Sequence, residues 1–172
     1  MPMPSFPMPR RRLLVAIVAL AAAASAPAAA APPRPQLVGR TLDGKPFNLL
    51  GQRGKVVLVV FWSTACAVCR DTLPELRRNY AGWAGKPFEL VIVSTDTHRQ
   101  DVLDYDRLVE QIVPMSERFP ALWRAEPGHD DGFGAPGLLP ATFVIDREGR
   151  IAERFNGRVP PEAWDRVAEL LP

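Results

Sequence analysis

The sequence predicts an α/β domain in which a central mixed β-sheet is flanked by helices and preceded by a short β-hairpin. Three observations carry this. Residues 56–61 (Val-Val-Leu-Val-Val-Phe) and 88–94 (Phe-Glu-Leu-Val-Ile-Val-Ser) are apolar, largely β-branched runs of the kind buried on both faces of a sheet. Each is followed by a stretch with helical spacing, an order that implies parallel pairing of the two strands. Near the C terminus, residues 142–145 and 150–155 flank the turn Asp146-Arg147-Glu148-Gly149 and read as an antiparallel hairpin.

Taken in order, the chain of 172 residues opens with Arg10-Arg11-Arg12, an uncharged apolar run from Leu13 to Ala24, and a string of alanines and prolines. That succession of basic, apolar and small residues is a secretory signal, here residues 1–31, with Ala29 and Ala31 meeting the small-x-small requirement for cleavage. An uncleaved membrane anchor is the rival reading. Alanine dominance and Pro27 make the segment a poor span. A lipid anchor needs a cysteine at the cleavage point, and the two cysteines lie at 66 and 69. Residues 32–36 form a proline-rich tether, and 37–172 suffice for one domain with a core of its own. The formal charge of +2 includes the three leader arginines, so the remainder is close to neutral with scattered charges. It offers no basic stripe for nucleic acid.

Leu37-Val38 and Phe47-Asn48-Leu49, around the turn dipeptide Asp43-Gly44, are the expected N-terminal hairpin. Residues 56–61 are the expected central strand. From Cys66 a helix is expected to about residues 82–85, with Val68, Leu73, Leu76 and Tyr80 apolar and Pro74 as a kink. A second helix is expected over about 100–112. The proline- and glycine-rich stretch 113–139 is expected to hold one short strand at Leu122-Trp123 within an irregular loop. Pro161 opens a last helix, with Trp164, Val167, Ala168 and Leu171 on one face.

The chemistry gathers at Cys66-Ala67-Val68-Cys69. A bridge across so short a loop restricts the unfolded chain little, so as a staple it is weak; it makes sense when the bond is meant to open. The loop Trp62-Ser63-Thr64-Ala65 places Cys66 at the first turn of a helix, where free N–H groups and partial positive charge favour a thiolate. Cys66 is then the nucleophile, and Cys69, one turn deeper, resolves the mixed disulfide. The sulfur pair carries the electrons and no cofactor is implied. The mechanism leaves direction open, since the same steps reversed oxidise a substrate.

Residues 54–70, Gly-Lys-Val-Val-Leu-Val-Val-Phe-Trp-Ser-Thr-Ala-Cys-Ala-Val-Cys-Arg, resemble the active-site block of thioredoxin-like proteins of the TlpA/ResA type. Pro74, the segment from Leu139-Pro140 to Asp146, the Asp43-Gly44-Lys45 hairpin and the Gly149 turn fit the same family, from about Leu37 to the C terminus. The resemblance implies a thioredoxin-like fold and a periplasmic thiol-disulfide oxidoreductase. It further implies protein disulfides as substrates, the reducing direction and a membrane-bound electron donor. It also implies a cis Leu139-Pro140 bond against the cysteine pair, with the backbone of Leu139 and Pro140 receiving extended substrate. Several positions depart from the family. Val60 stands where thioredoxins bury an aspartate, and Thr72 stands where ResA-like reductases place a carboxylate. Asp71 is about 100° around the helix and is expected to point elsewhere. Ala65 replaces a common tryptophan, and Ala67-Val68 a proline-containing pair, which is expected to leave more backbone N–H groups facing Cys66.

The two histidines, His98 and His129, lie in polar loops where solvated surface positions are the default expectation. A sharper alternative makes the protein a copper-binding assembly factor with Cys66, Cys69 and His129 as ligands, although exported copper-delivery proteins of this fold space their cysteines by three residues. Zinc would have too few ligands, and Asp130-Asp131 lacks the spacing of a calcium loop. An inert structural bridge is a further alternative. For a peroxidase, Ser63 would have to serve as the hydroxyl residue before the cysteine, and the accompanying proline is absent.

Overall fold

The computed structural model describes Met1 and residues 34–172. The signal segment 1–31 and the start of the tether thus lie outside the described residues, apart from Met1. Strand β3 (Val56–Trp62) is the centre, with all seven residues buried. It pairs in parallel with β4 (Phe88–Ser94), Val56 opposite Phe88 through Trp62 opposite Ser94, and antiparallel with β7 (Ala141–Ile145), Phe61 opposite Ala141. The five-stranded sheet is completed by β5 (Ala121–Trp123) beside β4 and β8 (Ile151–Asn156) beside β7. The sheet is therefore mixed, as expected. The β7–β8 turn needs Gly149, whose φ of 80° lies in the left-handed region.

Helix α1 (Ala67–Gly82) links β3 to β4, and α2 (Arg99–Ile112) leads from β4 toward β5. Both steps move across the sheet in the same direction. Right-handed crossovers then place both helices on one face. The alternate residues Val56, Leu58, Val60 and Trp62 of β3 point to that face. They pack with Cys69, Leu73 and Leu76 of α1, Val102 of α2, and Ala163 and Val167 of α3 (Pro161–Leu170). The opposite face, with Val57, Val59, Phe61, Val91, Val93 and Phe143, receives Leu37, Phe47, Leu49, Leu122 and Phe133.

A second, three-stranded sheet supplies that cover: β1 (Leu37–Arg40) pairs antiparallel with β2 (Pro46–Asn48) on one side and with β6 (Asp130–Asp131) on the other. The hairpin agrees with expectation; β6 does not, since its two aspartates carry no strand signal and pair with residues more than ninety positions away. The tether end is tied to the same strand, with Gly132 N–H donating to Gln36 O at 2.9 Å.

Helical faces differ from expectation at two places. Val68 is 43% exposed instead of packed, because it lies on the side of α1 that carries Cys66 at the surface. On α3, Ala168 faces solvent and Ala163 takes the core position, one turn before Val167. Helix α1 continues through Pro74 from Ala67 to Gly82.

Phe61 concentrates the packing of the second face: its ring lies 5.4 Å from Phe133 and 5.9 Å from Phe143, with the Arg124 guanidinium 5.1 Å above it. Phe61→Ala is expected to lower stability by about 3–5 kcal/mol, read as a lower urea midpoint with an unchanged slope.

Candidate active site

Cys66 is the N-cap of α1, with extended backbone (φ −82°, ψ 106°), so the helix begins on its sulfur. Its Sγ accepts the N–H of Cys69 at 3.1 Å, one of the amides that a helix start leaves free. Neither Ala67 nor Val68, which stand where the family has its proline-containing pair, donates to this sulfur, so the additional backbone donors expected there are not found: the amide that meets it belongs to Cys69. The Cys66 N–H in turn donates to Ser63 O at 3.1 Å, and its carbonyl accepts from Arg70 N–H. The two cysteines are joined, with Cα atoms 5.2 Å apart. Their surroundings differ sharply. Cys66 is half-buried between exposed Ala65 and Ala67, whereas Cys69 is 1% exposed and packed among Val60, Trp62 and Leu73. A disulfide in solution can reach the first sulfur and not the second.

The loop that presents Cys66 is held by a residue that sequence reasoning did not single out. Asp96, two residues beyond β4 and 8% exposed, accepts the hydroxyls of Ser63 and Thr64, each at 2.8 Å, the Thr64 N–H at 3.1 Å and the Ser94 hydroxyl at 2.6 Å. Burial pushes its carboxyl up, but the hydrogen bonds from Ser94, Thr64 and Ser63 outweigh it and hold the group below the ordinary carboxylate value. Thr95 adds two contacts to Trp62 O, from its N–H at 2.8 Å and its hydroxyl at 3.0 Å. The Arg70 guanidinium reaches Thr64 O from the helix side. The available signal was a pair of hydroxyl residues before the cysteine and a Ser-Thr-Asp at the end of the neighbouring strand, joined only by parallel register.

The departures noted in the sequence are buried facts of the site. Val60 is 1% exposed, and Thr72, also 1% exposed, donates its hydroxyl to Val68 O at 2.8 Å within the helix. Asp71 points away, its side chain 70% exposed near Arg158. The Leu139-Pro140 bond is cis. Register brings it to the same end of the sheet: Ala141 lies opposite Phe61, so Pro140 falls beside Trp62, where the cysteine loop departs. Pro140 is buried and its carbonyl accepts the Gly157 N–H at 2.7 Å. Leu139 and Asp96 both line a cavity of about 430 Å³ with Arg124 and Gly137.

His98 is exposed, as expected. His129 is not. Its side chain is 3% exposed, with Nε2 3.0 Å from Asp131 Oδ2, because the β1–β6 pairing folds its loop over Gly39. Among the described residues no group of three or more His, Cys, Asp or Glu side chains is gathered for a metal, so His129 does not join Cys66 and Cys69 as the copper alternative requires.

Asp96→Asn removes the acceptor that those hydroxyls and the Thr64 amide share, and is expected to cost about 1.5–3 kcal/mol at neutral pH. Because the folded carboxyl titrates below its unfolded value of 3.8, this contribution is complete above that value and is lost as pH falls through the lower folded one. The stability gap between wild type and variant, measured by urea unfolding at a series of pH values, therefore closes in acid.

A family model described as the AhpC/TSA family matches residues 23–154. The thiol-disulfide oxidoreductase ResA of Bacillus anthracis is 27% identical over 129 residues, covering 74% of this chain and 70% of the relative. Among solved structures, a thiol:disulfide interchange protein of the thioredoxin family from Chlorobium tepidum TLS aligns with a TM-score of 0.63 and 27% identity, over 83% of this chain and 97% of that one. StoA from Bacillus subtilis, 19% identical with a TM-score of 0.58 over 81% and 99% of the two chains, shares the fold. The family match takes in the hairpin, the cysteine pair and the cis-proline segment together, so the chain belongs to the AhpC/TSA family and is a thioredoxin-like thiol-disulfide oxidoreductase.

Proposed function

We propose that the protein reduces disulfides of other proteins outside the cytoplasm and is itself recharged by a membrane-bound electron donor. The observation that carries the reading is the asymmetry of the pair: Cys66 accessible on a helix N-cap, Cys69 1% exposed behind it. In the reduced enzyme the Cys66 thiolate attacks one sulfur of a substrate disulfide. That bond breaks, the second substrate sulfur leaves as a thiolate, and it takes up a proton. Cys69 then gives up its proton and attacks Cys66 Sγ, displacing the first substrate sulfur. Two electrons have passed to the substrate, which departs as a dithiol, and the enzyme is left with its Cys66–Cys69 bond. The donor resets it with two electrons and two protons.

Leu139 and Pro140 are assigned to substrate binding: they lie at the sheet end from which the cysteine loop leaves, and the cavity lined by Leu139 gives an extended chain a place to lie. Exposed Val68 and Leu138 add apolar surface on α1 and on the loop leading to Pro140. Export rests on the basic, apolar and small-residue order of segment 1–31, and the reducing direction rests on the likeness to TlpA/ResA-type proteins.

Expressed with its leader, the Cys69→Ser variant is expected to accumulate mixed disulfides on Cys66 in the exported fraction, visible as thiol-sensitive bands on non-reducing gels. Cys66→Ser is expected to give none. Failure of both single variants to trap any protein would remove the exchange mechanism. Direction is tested separately by equilibrium with glutathione or dithiothreitol: a reductase is expected well below about −180 mV, and a value near about −120 mV would make the protein an oxidant.

A further inference from the structure

Asp96 is fixed from the ends of three neighbouring strands. Its N–H donates to Ser94 Oγ of β4 at 3.1 Å, and its carbonyl accepts the Trp123 indole N–H of β5 at 2.7 Å. Thr95 beside it donates to Trp62 O, the last carbonyl of β3, from both its N–H and its hydroxyl. The carboxylate is tied back to its own strand as well, accepting the Ser94 hydroxyl at 2.6 Å. An acceptor anchored at backbone and side chain does not follow a moving loop; the loop has to come to it.

From this acceptor a path of hydrogen bonds runs to Cys66. The Ser63 hydroxyl donates to Asp96 Oδ1 at 2.8 Å and accepts the Ala65 N–H at 3.2 Å, while the Ser63 carbonyl accepts the Cys66 N–H at 3.1 Å. Thr64 adds its N–H, 3.1 Å from each carboxylate oxygen, and its hydroxyl at 2.8 Å. The Thr64 carbonyl is taken by Arg70, in the first turn of α1. The three residues before Cys66 are thereby held between the sheet and the helix, and Cys66 continues from them in the extended backbone of an N-cap. Asp96 does not meet the sulfur itself: among the described residues no carboxylate is gathered with the two cysteines.

We propose that Asp96 is a positioning residue for the thiol chemistry, holding Ser63 and Thr64 so that the Cys66 sulfur lies on the helix start and reacts as a thiolate. The favourable influence of a helix start fades within its first turn, so a sulfur gains from it only while the preceding loop keeps it there. Contact is the means, since the charge of the carboxylate is already met by the donors of Ser63, Thr64 and Ser94. The proposal rests on Cys66 being the attacking thiol. Trapping with Cys69→Ser tests that reading, whereas titration of Cys66 tests Asp96, so either can fail alone.

In the Cys69→Ser protein Cys66 is the sole cysteine, so its ionisation can be followed by thiolate absorbance and its reactivity by alkylation with iodoacetamide across a range of pH. Adding Asp96→Asn is expected to move the midpoint of the pH–rate profile upward. Below that midpoint alkylation slows about three- to tenfold, the scale of a helix-start contribution, with little change at high pH where the sulfur is fully ionised. Ser63→Ala together with Thr64→Val leaves the carboxylate in place and removes the hydroxyls it holds, and is expected to move the profile the same way. The proposal requires both upward shifts. An unmoved profile would leave Asp96 a support of the fold alone, a downward shift would make it a charge acting on the sulfur, and a rate raised at every pH would report local opening; each overturns the proposal. Should Asp96→Asn not fold, the Ser63 and Thr64 variant decides.

Discussion

The position of Cys66 at the N-cap of α1 is the constraint from which the site follows. A helix start must satisfy amides that have no partner within the helix, and here a sulfur accepts one of them, the N–H of Cys69. With the first cysteine fixed at the cap, the second is one turn inside, on the face that packs against β3. Exposure of one sulfur and burial of the other are therefore not separate adjustments; both follow from where the helix begins. That point is set by β3, whose complete burial leaves it no freedom to slide, and whose last residue, Trp62, hands the chain to a four-residue loop. The loop is short enough that its polar groups need partners from elsewhere, and Asp96 supplies them from the end of β4. Parallel register is what brings the ends of β3 and β4 together, so the site sits at their carboxyl ends.

The electrostatic consequence is a division of labour. The one buried carboxylate close to the loop spends its charge on the Ser63, Thr64 and Ser94 hydroxyls and the Thr64 amide. Behind the cysteines Val60 offers no polar group, and the Thr72 hydroxyl donates to Val68 O. No carboxylate is grouped with the cysteine pair among the described residues.

Much of this was legible in the chain because the informative features are local. Unbroken β-branched runs announce doubly buried strands, and Cys-x-x-Cys after such a run, followed by helical spacing, announces the cap. What escaped depends on contacts distant in sequence. Asp96 reads as an ordinary acid at the end of a strand until the Ser63-Thr64 loop, more than thirty residues earlier, is laid beside it. Strand β6 is a pair of aspartates with low strand propensity, held by two bridges to Leu37 and Val38. His129 sits in a stretch of polar, turn-forming residues and is nevertheless buried, because Asp131 and the hairpin close over it. On α3 the apolar residues Ala163 and Ala168 are both candidates for the inner face, and only the position of the sheet beneath selects the first.

The N-terminal hairpin is better understood as part of the domain than as an addition to it. Both crossover helices occupy one face of the sheet, so the other would lie open without β1, β2 and the Phe133 loop. Their attachment is polar as well as apolar: Arg124 makes a two-bonded contact to Asp131 at 2.8 and 2.9 Å, Asp131 meets His129, and the guanidinium lies over Phe61 of the central strand. Arg124 and His129 hold the Asp131 carboxyl below its ordinary value against the opposing effect of burial. The fit is tight on β1 at Gly39, where a Cβ would come 3.1 Å from side-chain atoms of both His129 and Leu122 and each would have to give way slightly. The same hairpin reaches around to the helical face, where Thr41, Leu42, Asp43 and Lys45 wall the cavity containing Arg77 and Trp62. One short element thus closes the apolar face opposite the helices and bounds the polar enclosure beside them, and Arg124, which pins its β6 partner, also lines the groove next to Leu139. The cover of the core and the wall of the site share a residue.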